Sequence, residues 1–273
     1  MDLNILCIGD VVGRPGRHVL SHALPRLVRE RDVDCVIANV ENAAGGSGLT
    51  ASLYEKFARY GIDVQTLGDH AFKRGDIFPV LQKSERLIRP ANMPSHAPGR
   101  GATVFVTEKG PSIAVMTVLG RLYMKPPTDC PYAAVDRWLS ALPPNVRIVV
   151  VEIHGEVTAE KVAMGWHLDG RASIVFGTHT HIPTADERVL PNGTAYITDL
   201  GMTGPYDSVL GRRKDRVVST LLTGIPSAFE VATGDVRLCG ILVRIDAESG
   251  RAQSIERICV PDTFPDGGEN ETD

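Results

Sequence analysis

Two histidines, His179 and His181, follow the apolar run SIVF that begins at Ser173. Alternate side chains of an extended backbone point to the same side, so both rings can converge on a common point. Histidine is the commonest metal ligand and also the side chain most easily made cationic near neutral pH. An isolated pair of this kind is more often part of a polar loop than of a metal site, so the rest of the chain must decide.

Five apolar runs that are predicted as strands each end in polar side chains able to bind a metal. In chain order, these side chains are Asp10, Glu41 with Asn42, Asp69 with His70, His154, and His179 with His181. Ligands of open α/β sheets bind beyond the carboxyl ends of the strands, where these residues would meet. Taken singly, each has a simpler role as a helix cap, a turn residue or a loop histidine. Five such strand ends at one topological position indicate a metal site.

The types of ligand side chain narrow the choice of metal ion and of reaction. Carboxylates, an amide and imidazoles, with no thiolate among them, favour Mn, Fe or Zn. The seven predicted metal ligands are Asp10, Glu41, Asn42, Asp69, His154, His179 and His181. Seven exceed what one ion with an open position needs, so two ions sharing a bridging carboxylate and a bridging hydroxide are predicted. Two such ions clamp the attacking and departing oxygens of a phosphoryl displacement. The residues by themselves therefore predict metal-assisted hydrolysis.

The elements that must position these residues are short apolar strands alternating with amphipathic helices. Strands are predicted at 4–8, 35–38, 64–67, 103–107, 113–118, 146–153, 173–176, 195–198 and 240–245. Helices are predicted at 18–31, 51–60, 133–141 and 158–168. This alternation predicts an α/β fold. Because the later connections are short, we expect a two-layer mixed β-sheet core flanked by helices.

The chain shows no internal repeat and no linker, so residues 1–260 are predicted to form a single domain. Residues 261–273 carry five acidic side chains and no basic one, beside proline and glycine. Such a composition buries too little apolar surface to order the backbone. We therefore expect these last residues to form an acidic, disordered tail.

The composition is that of a soluble globular chain, with 43% hydrophobic and 23% charged residues and a net charge of −4. This charge disfavours stable nucleic-acid binding but allows a small phosphate-bearing substrate. No apolar run reaches the roughly 20 residues of a membrane span, and no signal peptide is recognised, so no membrane partner is expected. Five scattered cysteines without a CxxC pair predict reduced thiols and a cytoplasmic location. The sequence leaves open whether the chain forms a homo-oligomer.

The ordered motifs GD, ENAAGG, GDH, a lone His and GTHTH resemble those of the calcineurin-like metallophosphoesterase superfamily. The resemblance is closer to a bacterial branch of 2′,3′-cyclic-nucleotide phosphodiesterases, which shares GDVVGR and the long block that begins FGTHTHIPTADERVLPNG. It extends from Ile5 to about Gly211. It implies a metallophosphoesterase-like sandwich. It also implies hydrolysis of a cyclic nucleotide, or a similar small phosphodiester, by a metal-bridging hydroxide.

The resemblance also implies roles for single residues. One ion would be held by Asp10, Glu41, Asn42 and His181, the other by Glu41, Asp69, His154 and His179. Glu41 would bridge the two ions. His70 corresponds to the histidine that protonates the departing oxygen as a general acid. The implied cofactors are two divalent or trivalent transition-metal ions per chain, with iron or manganese preferred.

Two departures from the family pattern bear on the substrate. The third motif usually has Asn before its histidine, where this chain has Asp69, which adds a negative charge. After His70 the branch usually has a Trp-Asp pair, where this chain reads AFKR. We therefore expect a shifted substrate preference. Lys73 or Arg74 would either reach a phosphate or form a solvated basic turn.

Three further features have simpler explanations. The glycine-rich segment 41–50 matches neither nucleotide-binding glycine motif and is predicted as a loop beside the site. Arg14 and Arg17 follow Asp10 closely and are candidates for phosphate contacts. His18 and His22 lie four residues apart on one helix face, but the Glu of HExxH is missing. We therefore favour an ordinary helix surface there over a metal site.

Two other functions fit part of the pattern. Amidohydrolases also use an HxH pair, but near the start of a barrel chain, whereas this pair lies two-thirds along. A regulatory protein that binds metals or a nucleotide without turnover would also fit, given Asp69 and the altered turn after His70. We predict a metal-dependent phosphoric diester hydrolase, with a regulatory metal- or nucleotide-binding protein as the alternative.

Overall fold

The computed structural model describes residues 1–265. Its strands are β1 (Asp2–Ile8), β2 (Asp10–Val11), β3 (Cys35–Asn39), β4 (Val64–Thr66), β5 (Leu87–Ile88), β6 (Ala102–Val106), β7 (Ser112–Leu119), β8 (Ile148–His154), β9 (Ile174–Thr178), β10 (Arg188–Val189), β11 (Ala195–Ile197), β12 (Met202–Pro205), β13 (Val236–Asp246) and β14 (Ala252–Asp262). Its helices are α1 (Gly13–Glu30), α2 (Ala51–Arg59), α3 (Phe78–Lys83), α4 (Pro131–Ala141), α5 (Thr158–Leu168) and α6 (Lys214–Thr223), with a 3-10 turn at Gly75–Ile77.

The strands form two mixed sheets. In the first, the order is β2-β12-β13-β1-β3-β4-β5, and β14 pairs with β13. Strands β1, β3, β4 and β5 run parallel, while β13 is antiparallel to β1. In the second, the order is β10-β11-β9-β8-β7-β6, with a parallel centre and antiparallel edges. The predicted α/β class and the mixed two-layer core are confirmed.

Alternation of side chains explains why the two sheets pack face to face. Leu3, Ile5 and Cys7 of β1 point into a core that also contains residues of the second sheet, such as Ile113 and Ile148. The side chains between them face the other way, because the side-chain period of a strand is two. Those of β1 pack against α1 and α2, and those of β8 pack against α4 and α5. Each sheet is therefore covered by helices on its outer side.

The helix α1 places the segment after Asp10 against the first sheet. It begins at Gly13, whose φ of 56° lies in the left-handed region that favours glycine. A Cβ at Gly16 would lie 2.3 Å from the carbonyl oxygen of Thr203 in β12. The helix therefore approaches β12 more closely than a residue with a side chain would allow. None of the helices within residues 1–265 has both the length and the apolar character needed to cross a membrane.

The nine predicted strands and four predicted helices are all present, with ends shifted by a few residues. The helix predicted from residue 18 begins earlier, at Gly13, and the strand predicted at 146–153 runs from Ile148 to His154. At the C-terminus, β14 continues through Asp262, two residues beyond the predicted domain boundary. Residues 266–273 of the predicted acidic tail lie outside the described residues. The five cysteines are free thiols.

Candidate metal centre

The carboxyl ends of five strands from both sheets meet at one place. Asp10 follows β1, Glu41 and Asn42 follow β3, and Asp69 with His70 follows β4, all in the first sheet. In the second sheet, His154 ends β8, and His179 and His181 follow β9. The structure brings together all seven predicted ligands and His70, as the hydrogen bonds and ion pairs among them show. The two sheets therefore each contribute one side of the cluster.

Four ligand atoms from four residues surround one position. Glu41 Oε1 and Asp69 Oδ1 each lie 3.1 Å from His154 Nε2. His179 Nδ1 lies 3.0 Å from His154 Nε2 and 3.4 Å from Asp69 Oδ1. Neighbouring ligand atoms of four- to six-coordinate ions with bonds of 2.0–2.2 Å lie about 3.0–3.6 Å apart. Glu41, Asp69, His154 and His179 thus have the spacing that one bound cation requires, with all four ligand atoms within 4.8 Å of one another.

A second group of ligand atoms adjoins the first. His181 Nε2 lies 3.8 Å from Asp10 Oδ1 and 3.2 Å from Asn42 Nδ2. The other ring nitrogen of His181 contacts the carbonyl oxygen of Leu210 at 3.0 Å, which directs Nε2 toward the group. Asp10 Oδ1 is buried and has no hydrogen-bond partner among the described residues. A buried carboxylate oxygen without a partner is costly, and a cation between Asp10, Asn42 and His181 would satisfy it.

Glu41 lies between the two groups. Its Oε1 contacts His154 in the first group and is 3.5 Å from Asn42 Nδ2 in the second. Its Oε2 accepts hydrogen bonds from the backbone N–H groups of Gly68 at 2.7 Å and His70 at 2.9 Å. The backbone that follows β4 therefore fixes the Glu41 carboxylate between the two groups.

Burial and the nearby histidines act in opposite directions on the pKa values of the carboxyl groups of the cluster. Burial raises the pKa of Asp10, and the nearby histidines offset part of that rise. Burial would also raise the pKa of Glu41, but His154 outweighs it, so that the pKa lies below its usual value. The pKa of Asp69 is lowered in the same way, against burial, by His154 and His179. Strongly perturbed carboxyl groups clustered with histidines are characteristic of functional sites.

The expectation of extended backbone at the two histidines is wrong. Strand β9 ends at Thr178, and the φ angles of His179 and His181 are 93° and 65°. Both residues therefore lie in the left-handed region, where a side chain is disfavoured by roughly 1–3 kcal/mol. The two rings do not converge on one point. His179 joins the group around Asp69, and His181 joins the group around Asp10.

A buried carboxylate holds the segment between the two histidines. Asp199 Oδ2 accepts hydrogen bonds from both the N–H (3.2 Å) and the hydroxyl (2.7 Å) of Thr180. Its Oδ1 accepts from the N–H of Gly201 at 2.8 Å. Lys161 Nζ, on α5, donates to the same Oδ2 at 2.6 Å. Asp199 and Lys161 were not predicted, because an aspartate after a strand end and a lysine in a helix resemble ordinary surface residues.

A second buried carboxylate, that of Glu152, supports His154 through the hydroxyl of Thr178. Glu152 Oε1 accepts hydrogen bonds from Asn39 Nδ2 at 2.7 Å and from the hydroxyl of Thr178 at 2.6 Å. Thr178 in turn lies 2.9 Å from His154 Nδ1. Contacts of this kind orient a ligating imidazole and fix which nitrogen faces the site. Burial raises the pKa of Glu152. The sequence signal that would have revealed this residue is a lone charged side chain inside the apolar run of β8.

His70 lies at the exposed edge of the cluster. Its Nδ1 is 2.7 Å from Asn42 Oδ1, and its Nε2 is 3.7 Å from Asp69 Oδ2. About a quarter of its side chain (28%) is exposed, whereas His154 is fully buried. The ring is therefore held on the Nδ1 side by Asn42 and is partly exposed to solvent.

The glycine-rich segment 41–50 forms a loop held by arginines. Arg17 donates to the carbonyl oxygen of Ala43, and Arg74 donates to those of Ala44 and Ser47. Arg212 donates to the carbonyl oxygens of Gly45 and Gly46. Two of the arginines considered for phosphate contacts, Arg17 and Arg74, therefore bind loop carbonyls.

The whole chain is similar to proteins of one bacterial family. The family described as YmdB-like protein matches residues 6–258. A Bacillus subtilis protein named 2′,3′-cyclic-nucleotide 2′-phosphodiesterase is 42% identical over 260 residues, which are 95% of this chain and 98% of the relative. A crystal structure of a hypothetical protein from Thermus thermophilus has a TM-score of 0.88 and 40% identity, covering 95% and 99% of the two chains. A Mycoplasma pneumoniae phosphatase structure has a TM-score of 0.90 and 31% identity, covering 96% and 95%.

Proposed function

The chain belongs to the YmdB-like protein family, and from that premise we propose that it hydrolyses small phosphodiesters, such as 2′,3′-cyclic nucleotides, at a centre of two metal ions. The observation that carries the proposal is the convergence of seven ligand-type side chains in two adjoining groups that share Glu41. The relative from Bacillus subtilis is named for this reaction and is similar along nearly its whole length. The five free cysteines support a reducing compartment such as the cytoplasm.

The donor set fits two transition-metal ions. We assign Asp10, Glu41, Asn42 and His181 to one ion and Glu41, Asp69, His154 and His179 to the other. The mixture of hard oxygen and imidazole nitrogen ligands, without thiolate, suits iron or manganese. When bound, the two ions would supply a water acidic enough to attack phosphorus and would neutralise charge on the phosphoryl oxygens.

The role of Asn42 depends on which amide atom faces the ions. Its Nδ2 points toward His181 Nε2, and its Oδ1 toward His70 Nδ1. The two amide atoms differ by a half-turn of the side chain. The amide oxygen has two lone pairs, so it would bind an ion and also accept a hydrogen bond from Nδ1–H of a cationic His70, whose Nε2–H would then supply the proton. Asn42 would in this way both bind metal and orient the acid.

We assign His70 as the general acid. When the P–O2′ bond of a 2′,3′-cyclic nucleotide breaks, the departing ribose oxygen takes up the Nε2 proton of His70. The exposed position of the ring at the edge of the cluster supports this role. Glu152 and Asp199 act as positioning residues, because Glu152 reaches His154 through Thr178 and Asp199 holds Thr180 between the two histidines.

Hydrolysis of 2′,3′-cyclic AMP by metal-depleted and Mn²⁺-reloaded protein tests the proposal, with 3′,5′-cyclic AMP as the comparison substrate. We expect turnover of the 2′,3′ isomer after reloading. Asp10→Asn should lower kcat/KM at least about 100-fold, because even residues that only surround metal ligands often contribute 10- to 100-fold. Asp136→Asn removes a surface carboxylate outside the cluster and should retain activity. Binding of 2′,3′-cyclic AMP without turnover would instead assign a regulatory role.

A further inference from the structure

Three side chains of metal-ligand type lie together outside the centre described above. His18 Nε2 is 3.8 Å and His22 Nδ1 is 3.3 Å from the same carboxylate oxygen, Oδ2 of Asp262. The three ligand atoms lie within 4.8 Å of one another. The two histidines are on α1, and Asp262 is the last residue of β14. From the sequence, the HxxxH pair of His18 and His22 was interpreted as an ordinary helix surface. The structure adds a third side chain of ligand type to this pair, from a strand distant in sequence.

The spacing is close to that of a zinc site. Zinc binds imidazole nitrogen and carboxylate oxygen at 2.0–2.2 Å in tetrahedral geometry, which places neighbouring ligand atoms about 3.3–3.6 Å apart. The distance from His22 to Asp262 already lies in this range, and that from His18 to Asp262 exceeds it by a few tenths of an ångström. Small side-chain rotations would complete the site, with a fourth position left for water.

The fold holds the three side chains in place before any ion binds. Residues four apart on a helix project from the same face, one turn from each other. Asp262 is fixed by its pairing with Val236 in β13. The ring of Phe264 packs edge-on against His18, with ring centroids 5.2 Å apart, and contacts the core under α1. His22 lies on the open side, with 59% of its side chain exposed.

An ordinary surface ion pair needs only one histidine beside a carboxylate, whereas Asp262 has two. The His167–Asp136 pair, at 2.9 Å, is such a case, because its second partner is the cation Arg171 and not another histidine. At Asp262 two imidazoles face one oxygen, and neutral imidazoles are metal ligands. The local charge is mixed. Arg14, Arg17 and Lys56 line the cavity beside His18, and Asp262 supplies the negative charge of the cluster.

We propose that His18, His22 and Asp262 form a separate binding site for a divalent transition-metal ion of the zinc class. Imidazole and carboxylate ligands suit zinc and its neighbours better than magnesium or calcium. The bound ion ties the end of β14 to α1 and so stabilises the folded chain by mass action. The site shares no residue with the proposed catalytic centre, so a negative result for one proposal does not contradict the other.

Equilibrium dialysis of the full chain against Zn²⁺, with metal counted by mass spectrometry, tests the site. Wild-type protein should bind one more ion per chain than His22→Ala or Asp262→Ala, in a class of sites whose Kd the variants weaken at least tenfold. His167→Ala, which removes a surface histidine next to a single carboxylate, should bind as wild type does. Hydrolysis by the Mn²⁺-loaded enzyme should be equal in all four proteins, because the catalytic ligands are untouched.

The exposure of His22 makes its variant a fair test, since more than half of the side chain is exposed and its ring contact is with His18. A second readout is the rise in Tm on adding Zn²⁺, which should be larger for wild type and His167→Ala than for the two site variants. Equal stoichiometry, equal Kd and equal shifts of Tm in all four proteins would overturn the proposal.

Discussion

Lys161 donates a hydrogen bond of 2.6 Å to Asp199, and both side chains are buried beneath the segment that carries His179 and His181. The carboxylate continues the contact to the backbone and hydroxyl of Thr180. A buried ion pair therefore stabilises a segment in which two histidines adopt left-handed backbone conformations. The strain at the two histidines is offset by the hydrogen bonds that Asp199 accepts from Thr180 between them.

Asp199→Asn tests this support. The change leaves the Lys161 ammonium buried without a counter-charge, which typically costs about 3–5 kcal/mol of unfolding free energy. Urea unfolding of metal-free protein should show a loss of that size. Retention of Mn²⁺ should also weaken by about 10- to 100-fold, as expected when the support of ligands is removed.

Leu20→Ala provides a control of similar instability. Leu20 is fully buried between α1 and the first sheet, and its truncation should cost about 2–5 kcal/mol. At a temperature where both variants are folded, Leu20→Ala should retain Mn²⁺ as wild type does. If the two variants lost Mn²⁺ equally, Asp199 would have a purely structural role.

Gly68→Ala should disrupt the cluster through contact with one ligand. A Cβ at Gly68 would lie 2.3 Å from His154 Nε2, the atom that lies 3.1 Å from both Glu41 Oε1 and Asp69 Oδ1. The imidazole would have to move, and we expect the protein to lose metal and at least about 100-fold in kcat/KM. Gly75→Ala is the matched control, because no atom lies within 4 Å of a Cβ built there. Normal metal content in Gly68→Ala would contradict the place assigned to His154.

Metal binding should release protons from His154. Burial would lower the pKa of this imidazole, but the Glu41 and Asp69 carboxylates outweigh burial and raise it well above its usual value. Because the folded pKa is raised, the stabilisation from the charged ring is fully present below about pH 6.5 and is lost as pH rises through the folded pKa. At pH 7 the metal-free protein therefore keeps this proton, and ligation removes it.

Calorimetric titration of metal-free protein with Mn²⁺ at pH 7, in buffers of different ionisation enthalpy, measures this release. About one proton or more should leave for each chain loaded. Heats that do not depend on the buffer would show that His154 is already neutral or does not bind the ion.

His70→Ala should separate the acid from the metal ligands. On 2′,3′-cyclic AMP, whose leaving ribose oxygen needs a proton, kcat should fall about 100-fold or more. On bis-p-nitrophenyl phosphate, whose leaving group is stable as an anion, the loss should be much smaller. Metal content should stay at the wild-type value. Equal losses on the two substrates would assign His70 to structure or metal binding.

The sequence predicted the long strands and the clustering of polar side chains at their ends because both depend on local patterns. Apolar runs such as that of β8 are strongly patterned, and the ligands stand directly after such runs. Strands β2, β5 and β10 contain two residues each, which is too short for any periodicity. Within the described residues, α6 buries Val217 alone, so its sequence carries little helical pattern of burial.

Most of the support of the site could not be predicted because it depends on tertiary contacts, and the charge of Glu152 inside the apolar run of β8 is its local signal. Lys161 looks like a solvent-facing helix residue until α5 packs on the second sheet and buries its side chain. The backbone of His179 and His181 was predicted as extended, since glycine is the residue whose type signals a left-handed φ. Asp262 is separated from His18 and His22 by nearly the whole chain, a distance in sequence at which no local pattern operates.

Anomalous diffraction from crystals of the Mn²⁺-loaded protein tests the central claim most directly. Two peaks about 3.5–4 Å apart are expected, the separation of a two-metal site. One should be bonded to Asp10, Asn42 and His181, the other to Asp69, His154 and His179, with Glu41 bonded to both. A single peak in the cluster, or two peaks that Glu41 does not bridge, would contradict the account.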